Sequence, residues 1–469
     1  KVEGFDGQST VYIDDFEGSE TSIDLRSPSA WTIASTPSRN SFSPYPDFGG
    51  DNIDMSYGFK RAKLTWYTID PIFYNQRPSG ISVDDMSLTT TRRIYSQELY
   101  PETQIPAGQL NVINTLDLTY YPTVRGAYNN NPAAASGVLP NPKDNFGGIV
   151  RALGTTNFEQ SNVEYIQMWV LDPYVGNGAL PQDSNNSGKI YFNLGSISED
   201  VLKDGRKQFE NGLPEPNSTE LTYKTIWGIV PAAQSLVYAF DANDANRTAQ
   251  DIGLDGMNDA QEAAIYNNFA GLPDPAADNY QYFLQAQGGI LERYYNYNGT
   301  QGNSPTGVTE SNRGNSTLPD AEDINRDSTM DGINAYFEYS IDIQPGMNTG
   351  TTKYVSNVMN TVGATPGSTY GNTTEARWIQ FKIPISQFEN KIGPISDFRS
   401  IRFMRMFMTG FESEITVRFG SLEFVRGDWL RYKLSLDPLE SNDQDALDTT
   451  AFDQEALNVY EDSNRTPIP

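Results

Sequence analysis

The residues best suited to chemistry lie in two acidic loops. The first, Asp251–Glu262, reads DIGLDGMNDAQE. Laid on the twelve-residue EF-hand calcium loop, it puts Asp251, Asp255, Asp259 and Glu262 at positions 1, 5, 9 and 12. Gly256 falls at position 6, where the chain must turn sharply and a positive φ is cheap only for glycine. Met257 offers its carbonyl at position 7, and Gly253 at position 3 removes one side-chain ligand. The chemistry implied is coordination of a hard divalent cation by oxygen, with Ca2+ as a structural ion. The plainer alternative is an acidic surface loop that caps the helix following it at Asp259.

The second loop, Asp323–Asn334, reads DINRDSTMDGIN. Asp323, Asn325, Asp327 and Asp331 fall at positions 1, 3, 5 and 9, with the Thr329 carbonyl at 7. Position 12 is Asn334, a neutral residue, and the glycine stands at 10 instead of 6, so the loop resembles a dockerin-like calcium loop. Weaker binding is expected there, and a plain turn is the alternative.

Other chemistries lose their reagents. The chain contains no histidine and no cysteine, which removes Ser-His-Asp and Cys-His nucleophile systems, disulfides, and the ordinary ligands of zinc, copper, haem and iron–sulfur clusters. No Walker loop or Rossmann fingerprint occurs, and among so many Asp and Glu residues no pair stands out for glycoside hydrolysis. A non-enzymatic protein is expected. With 60 acidic and 33 basic residues the formal charge is −27, which repels nucleic acid and anionic membrane surfaces.

The elements that must position the loops are mostly strands. Runs such as Thr10–Asp15, Leu64–Ile69, Leu116–Tyr121 (ended by Pro122), Tyr165–Leu171 and Lys189–Leu194 are rich in β-branched and aromatic residues. Ala335–Ile343, Trp378–Ile383, Ser400–Met408, Ile415–Phe419 and Leu422–Val425 follow later in the chain. Between the two groups, Ser198–Asn211 and Asp259–Phe269 read as helices, and 270–335 as long loop. The fold class expected is mainly β: a jelly-roll-like β-sandwich built discontinuously from 1–197 and 336–434. A helical and loop-rich insertion at 198–335 carries both calcium-type loops, and 435–469 forms an acidic extended tail. Trp31, Trp66, Trp169, Trp378 and Trp429 invite sugar stacking, but aromatics within apolar alternation are more often core. Arg402 and Arg405 are unusual in a strand of this kind and are assigned no function. No apolar run reaches the length of a membrane-spanning helix, KVEGFDGQST has no signal-peptide pattern, and the chain is expected to be a piece of something longer.

Three long phrases, Tyr12–Pro37, Ser187–Pro214 and Pro319–Ile341, together with QDIGLDGMNDAQE and the closing NRTPIP, resemble the SprA/Sov family. These are giant outer-membrane translocon proteins of the type IX secretion system of Bacteroidota, linked to gliding motility. The resemblance implies a very large β-barrel pore that exports folded cargo with a lateral-gate partner and a plug. This chain would be a non-barrel segment at the cell-surface side, an extracellular cap or pore-mouth insertion. It would shape or gate the exit without inserting in the membrane itself. Its partners would be the rest of the barrel, the lateral-gate and plug proteins, and secreted cargo. A different class of function also fits the residues: a calcium-stabilised carbohydrate-binding β-sandwich of a surface protein.

Overall fold

A computed structural model describes residues 22–101, 111–210, 213, 222–232, 250–299 and 319–427. In chain order the strands are β1 (Ser22–Asp24), β2 (Thr32–Ile33), β3 (Ala62–Tyr67), β4 (Ile94–Tyr95), β5 (Val112–Ile113), β6 (Leu116–Arg125), β7 (Phe146–Ala152), β8 (Val163–Leu171) and β9 (Gly188–Ser196). They continue as β10 (Thr222–Lys224), β11 (Ile229–Pro231), β12 (Ala335–Ile343), β13 (Val355–Ala364), β14 (Thr373–Pro384), β15 (Asn390–Ile392), β16 (Phe403–Thr409) and β17 (Ile415–Arg426). The protein is mainly β, as expected. One sheet runs β13-β14-β8-β17-β6-β3, with β1 pairing β17; the other runs β15-β12-β9-β16-β7-β2. Both sheets therefore draw strands from residues before 197 and after 334.

Alternation explains why these sheets face each other. Ile166, Met168 and Val170 of β8 point inward with Ile379, Phe381 and Ile383 of β14. They meet Ile190, Phe192 and Leu194 of β9, Phe337, Tyr339 and Ile341 of β12, and Met404, Met406 and Met408 of β16. All are buried in one continuous core. The opposite sides of the central strands are covered too. Tyr45 and Phe48 close over Phe146, Tyr191 and Phe407, and Ile94 and Leu99 close over Trp169, Leu171 and Trp378. This is why Tyr165–Leu171 is apolar on both faces.

Several boundaries differ from expectation. Ile415–Phe419 and Leu422–Val425 form a single strand with a bulge between Phe419 and Ser421. The extra residue resets the period, so Val417 and Phe419 before it and Leu422 and Phe424 after it all reach the same core. Pro122 does not end β6, which runs on to Arg125. The neighbouring β17 pairs only as far as Tyr120, and the β3 register jumps from Lys63–Tyr121 to Ala62–Arg125, so the missing N–H falls in an irregular stretch. Ser198–Asn211 is not helical over its described residues. Its backbone N–H groups go to side chains instead: Val201 and Leu202 donate to Glu322, and Asp204 and Gly205 to Asp200. Asp259–Phe269 does form a helix, Asp259–Ile265, capped reciprocally by Asn258 and Gln261 and followed by a 3-10 turn at Asn267–Phe269. Thr10–Asp15, Trp429 and the 435–469 tail lie outside the described residues.

Candidate metal centre

The loop Asp251–Glu262 sits on a satellite core of Trp227, Leu254, Met257, Tyr266 and Phe269. Its turn is tight. Gly256 has φ +69°, and a Cβ there would stand 2.1 Å from the Ile229 carbonyl oxygen. The Ile229 N–H in turn donates to the Asp255 carbonyl at 2.7 Å. The Met257 side chain is buried in the satellite core, and its N–H donates to Asp255 Oδ1 at 2.9 Å. This local geometry points the Asp255 carboxylate back toward the helix, where Glu262 lies one turn in.

The structure brings Asp255, Asp259 and Glu262 together and adds two residues absent from the sequence motif, Asp274 and Asp278. Asp255, Glu262 and Asp278 are fully buried, and one oxygen from each lies within 4.8 Å of the others. Asp259, Glu262 and Asp274 form a second, more open trio on the same criterion, sharing Glu262. Asp274 accepts from the N–H groups of Asp278 and Asn279 at 3.0 and 3.2 Å, which folds the 274–279 loop around its own carboxylate. Glu262 accepts from the Ala276 N–H at 2.9 Å, tying helix to loop. Asp251 does not join this group. It lies near Glu210, which accepts from the Gly253 N–H at 3.1 Å.

Electrostatically the centre is expensive for bare anions. Burial, then Glu262, pushes the Asp255 carboxyl well above its ordinary range. Burial, then Asp255 and Glu262, does the same to Asp278, opposed by the nearby Tyr128 hydroxyl. Burial pushes Glu262 up to about 8, against the Ala276 N–H. The neighbouring cations are engaged elsewhere. Arg125 donates to the Asn129 and Asp274 carbonyls at 2.8 and 2.9 Å and stacks on Phe269, and Lys63 donates to Asn296 at 2.7 Å.

The second predicted loop is arranged differently. Asp323 pairs with Lys207 at 2.9 Å and accepts from the Asp327 and Ser328 N–H groups. Asn325 accepts from the Asp327 N–H and donates to Asp327 and Asp331. The Thr329 N–H and hydroxyl donate to Asp327, and the Arg402 guanidinium bridges Asp327 and Asp331 at 3.2 and 2.6 Å. Asn334 instead caps Ser198, accepting its N–H at 3.0 Å. Glu199 completes the loop, accepting from the N–H groups of Ile324, Asn325 and Asp331. Arg405, in contrast to Arg402, is buried: its Nε donates to Asn193 at 2.8 Å and its guanidinium lies 4.8 Å from the Tyr336 ring.

A third carboxylate trio, Asp200, Asp204 and Glu322, is satisfied by the chain itself. Besides the bonds to Val201, Leu202, Asp204 and Gly205, Glu322 accepts from the Gln208 N–H, and Asp204 accepts from the Arg206 N–H and the Gln208 amide. Burial pushes Asp204 up to about 6 and Glu199 up to about 7. A raised folded-state pKa means that the folded form holds its proton more tightly. The associated stability is complete below the ordinary carboxylate range and is lost as pH rises through those values. The melting temperature of the chelator-treated protein is therefore expected to fall between about pH 4.5 and about pH 7. A differential scanning fluorimetry series that is flat or rising over that window contradicts this.

Fold and centre together define an acidic, mainly β sandwich protein with carboxylate-organised loops. Residues 254–469 match the family model SprA_N, described as motility related/secretion protein. The match supports a SprA-family, type IX secretion-related protein, in agreement with the resemblance found in the sequence, and such a family points to a membrane-associated setting. No curated protein matches the chain. Among the described residues, no helix is long and apolar enough to cross a membrane.

Proposed function

We propose that this chain is a non-barrel segment of a type IX secretion translocon, an extracellular cap or pore-mouth piece. In this role it shapes or gates the passage of folded cargo across the outer membrane. The observation that carries the reading is the SprA_N match over residues 254–469, which include the strands that complete both sheets. The architecture supports it. The described strands close into a filled sandwich whose central strands are covered on both sides, whereas a lipid-facing barrel strand would present one continuous apolar face outward. The net charge of −27 suits a solvated piece that stays off anionic lipid surfaces. Its partners in this reading are the remaining barrel, the lateral-gate and plug proteins and the cargo, and it performs no covalent chemistry.

The carbohydrate-binding alternative loses most of its stacking residues. Trp31, Trp66, Trp169 and Trp378 are all buried, so none offers a free face to a sugar ring.

The absence of cysteine makes the topology testable, because an introduced thiol is the chain's only one. Phe42 and Ile53 are 81% and 83% exposed. Phe42→Cys and Ile53→Cys are expected to react with a membrane-impermeant maleimide on intact cells. Labelling seen only after the cells are lysed would place the segment on the other side of the membrane.

A further inference from the structure

We propose that Asp255, Glu262 and Asp278 form a buried binding site for one divalent cation of the calcium type, which clasps the helix Asp259–Ile265 to the loop containing Asp274 and Asp278. The site differs from the EF-hand pattern of the sequence: Asp251 stands outside it, and Asp278 comes from a separate loop. It is also independent of the secretion reading.

Three observations converge. The trio is fully buried, with one oxygen of each residue within 4.8 Å of the others. Neither Asp278 oxygen has a hydrogen-bond partner, and Glu262 Oε1 has none either. Asp255 and the other Glu262 oxygen do accept, from the Met257 N–H, the Tyr266 hydroxyl and the Ala276 N–H. Three carboxylate oxygens therefore stay open here, whereas backbone and side-chain donors hold Asp200, Asp204 and Glu322. Finally, Arg125 and Lys63, the nearby cations, donate to a backbone carbonyl pair and to Asn296. Buried carboxylates of like charge this close are tolerated when protonated or when a cation lies between them. Oxygen ligands alone, with no nitrogen or sulfur, select a hard ion. Calcium fits a fully buried cage better than magnesium, which keeps several of its waters. Asp259 and Asp274, on the open side of Glu262, add charge beside the site without being required as ligands.

The experiment uses the full chain, stripped with EGTA and titrated with CaCl2, with bound calcium counted by equilibrium dialysis. Asp278→Asn keeps the shape and removes a charge. It is expected to eliminate one bound calcium, or to weaken that calcium by more than about tenfold. In EGTA the same variant is expected to melt at or above the parent temperature, because repulsion is relieved. Asp327→Asn, in the other loop, is expected to leave this calcium in place. Terbium, a calcium mimic, gives a second readout: sensitised emission from Trp227 and Tyr266, which line the satellite core, should be lost in Glu262→Gln. The proposal is overturned if no calcium binds at millimolar concentration, if Asp278→Asn retains the parent's full stoichiometry and affinity, or if Glu262→Gln leaves the terbium signal unchanged.

Discussion

Trp378→Ala is expected to lower the unfolding free energy by about 3–5 kcal/mol, the range for deleting a large buried aromatic. Trp378 is completely buried on the side of β14 away from the main core. There it packs with Trp169, Leu171, Ile94 and Leu99, joining the sheet to the segment that carries β4 and its following turn. The ring fills space left open by Gly420 at the β17 bulge. A Cβ on residue 420 would stand 2.8 Å from Trp378 Cζ3 and 2.6 Å from Leu99 Cδ1. The reverse change, Gly420→Ala, is therefore expected to cost about 1–3 kcal/mol by overpacking. The ring's own Nε1–H has no hydrogen-bond partner, so its contribution comes from packing and area. Guanidinium denaturation of both variants checks this. A Trp378→Ala loss below about 1 kcal/mol would mean that the segment is only loosely attached to the sheet.

Glu98→Ala is the second large effect, expected at about 3–5 kcal/mol, because it strands a charge in the interior. Arg92 and Glu98 are both buried and meet in a two-pronged pair, Nη1 to Oε1 at 2.8 Å and Nη2 to Oε2 at 2.7 Å. The guanidinium lies directly over Gly363 of β13, where a Cβ would come within 2.3 Å of Arg92 Nη1. Arg418 extends the network. It pairs with Asp117 at 3.2 Å and donates to the carbonyls of Thr89 and Arg92, so two charged pairs hold the 89–98 segment against the sheet. Desolvating ion pairs has a cost that their attraction offsets only in part. The double replacement Arg92→Met with Glu98→Leu is accordingly expected to recover most of the stability lost in Glu98→Ala. If the single and double variants unfold at the same denaturant concentration, the loss comes from packing and not from the unpaired guanidinium.

The strand framework was legible because its signal is local. Ala335–Ile343 coincides with β12, and the apolar runs at 165–171 and 189–194 lie inside β8 and β9. What escaped included β7, whose Gly147 and Gly148 interrupt the strand signal, and β13, VSNVMNTVGA, which is largely exposed and held mainly by pairing with β14. The 198–210 stretch misled in the opposite sense. Its helix-like charge order is real, but Glu322, more than a hundred residues away in the chain, takes the N–H groups of Val201 and Leu202.

The same division runs through the candidate metal centre. The sequence by itself determined that any metal here must be held by oxygen, that Gly256 makes the sharp turn, and that Glu262 sits on the helix behind it. Those features depend on residue type and on neighbours a few positions away. Only the tertiary structure decided which carboxylates meet. It set Asp251 beside Glu210, filled the gap between Asp327 and Asp331 with Arg402, and brought Asp274 and Asp278 in from a separate loop. The reason is physical: the cost of a buried charge depends on what lies within a few ångströms of it in space, and spacing along the chain does not carry that information.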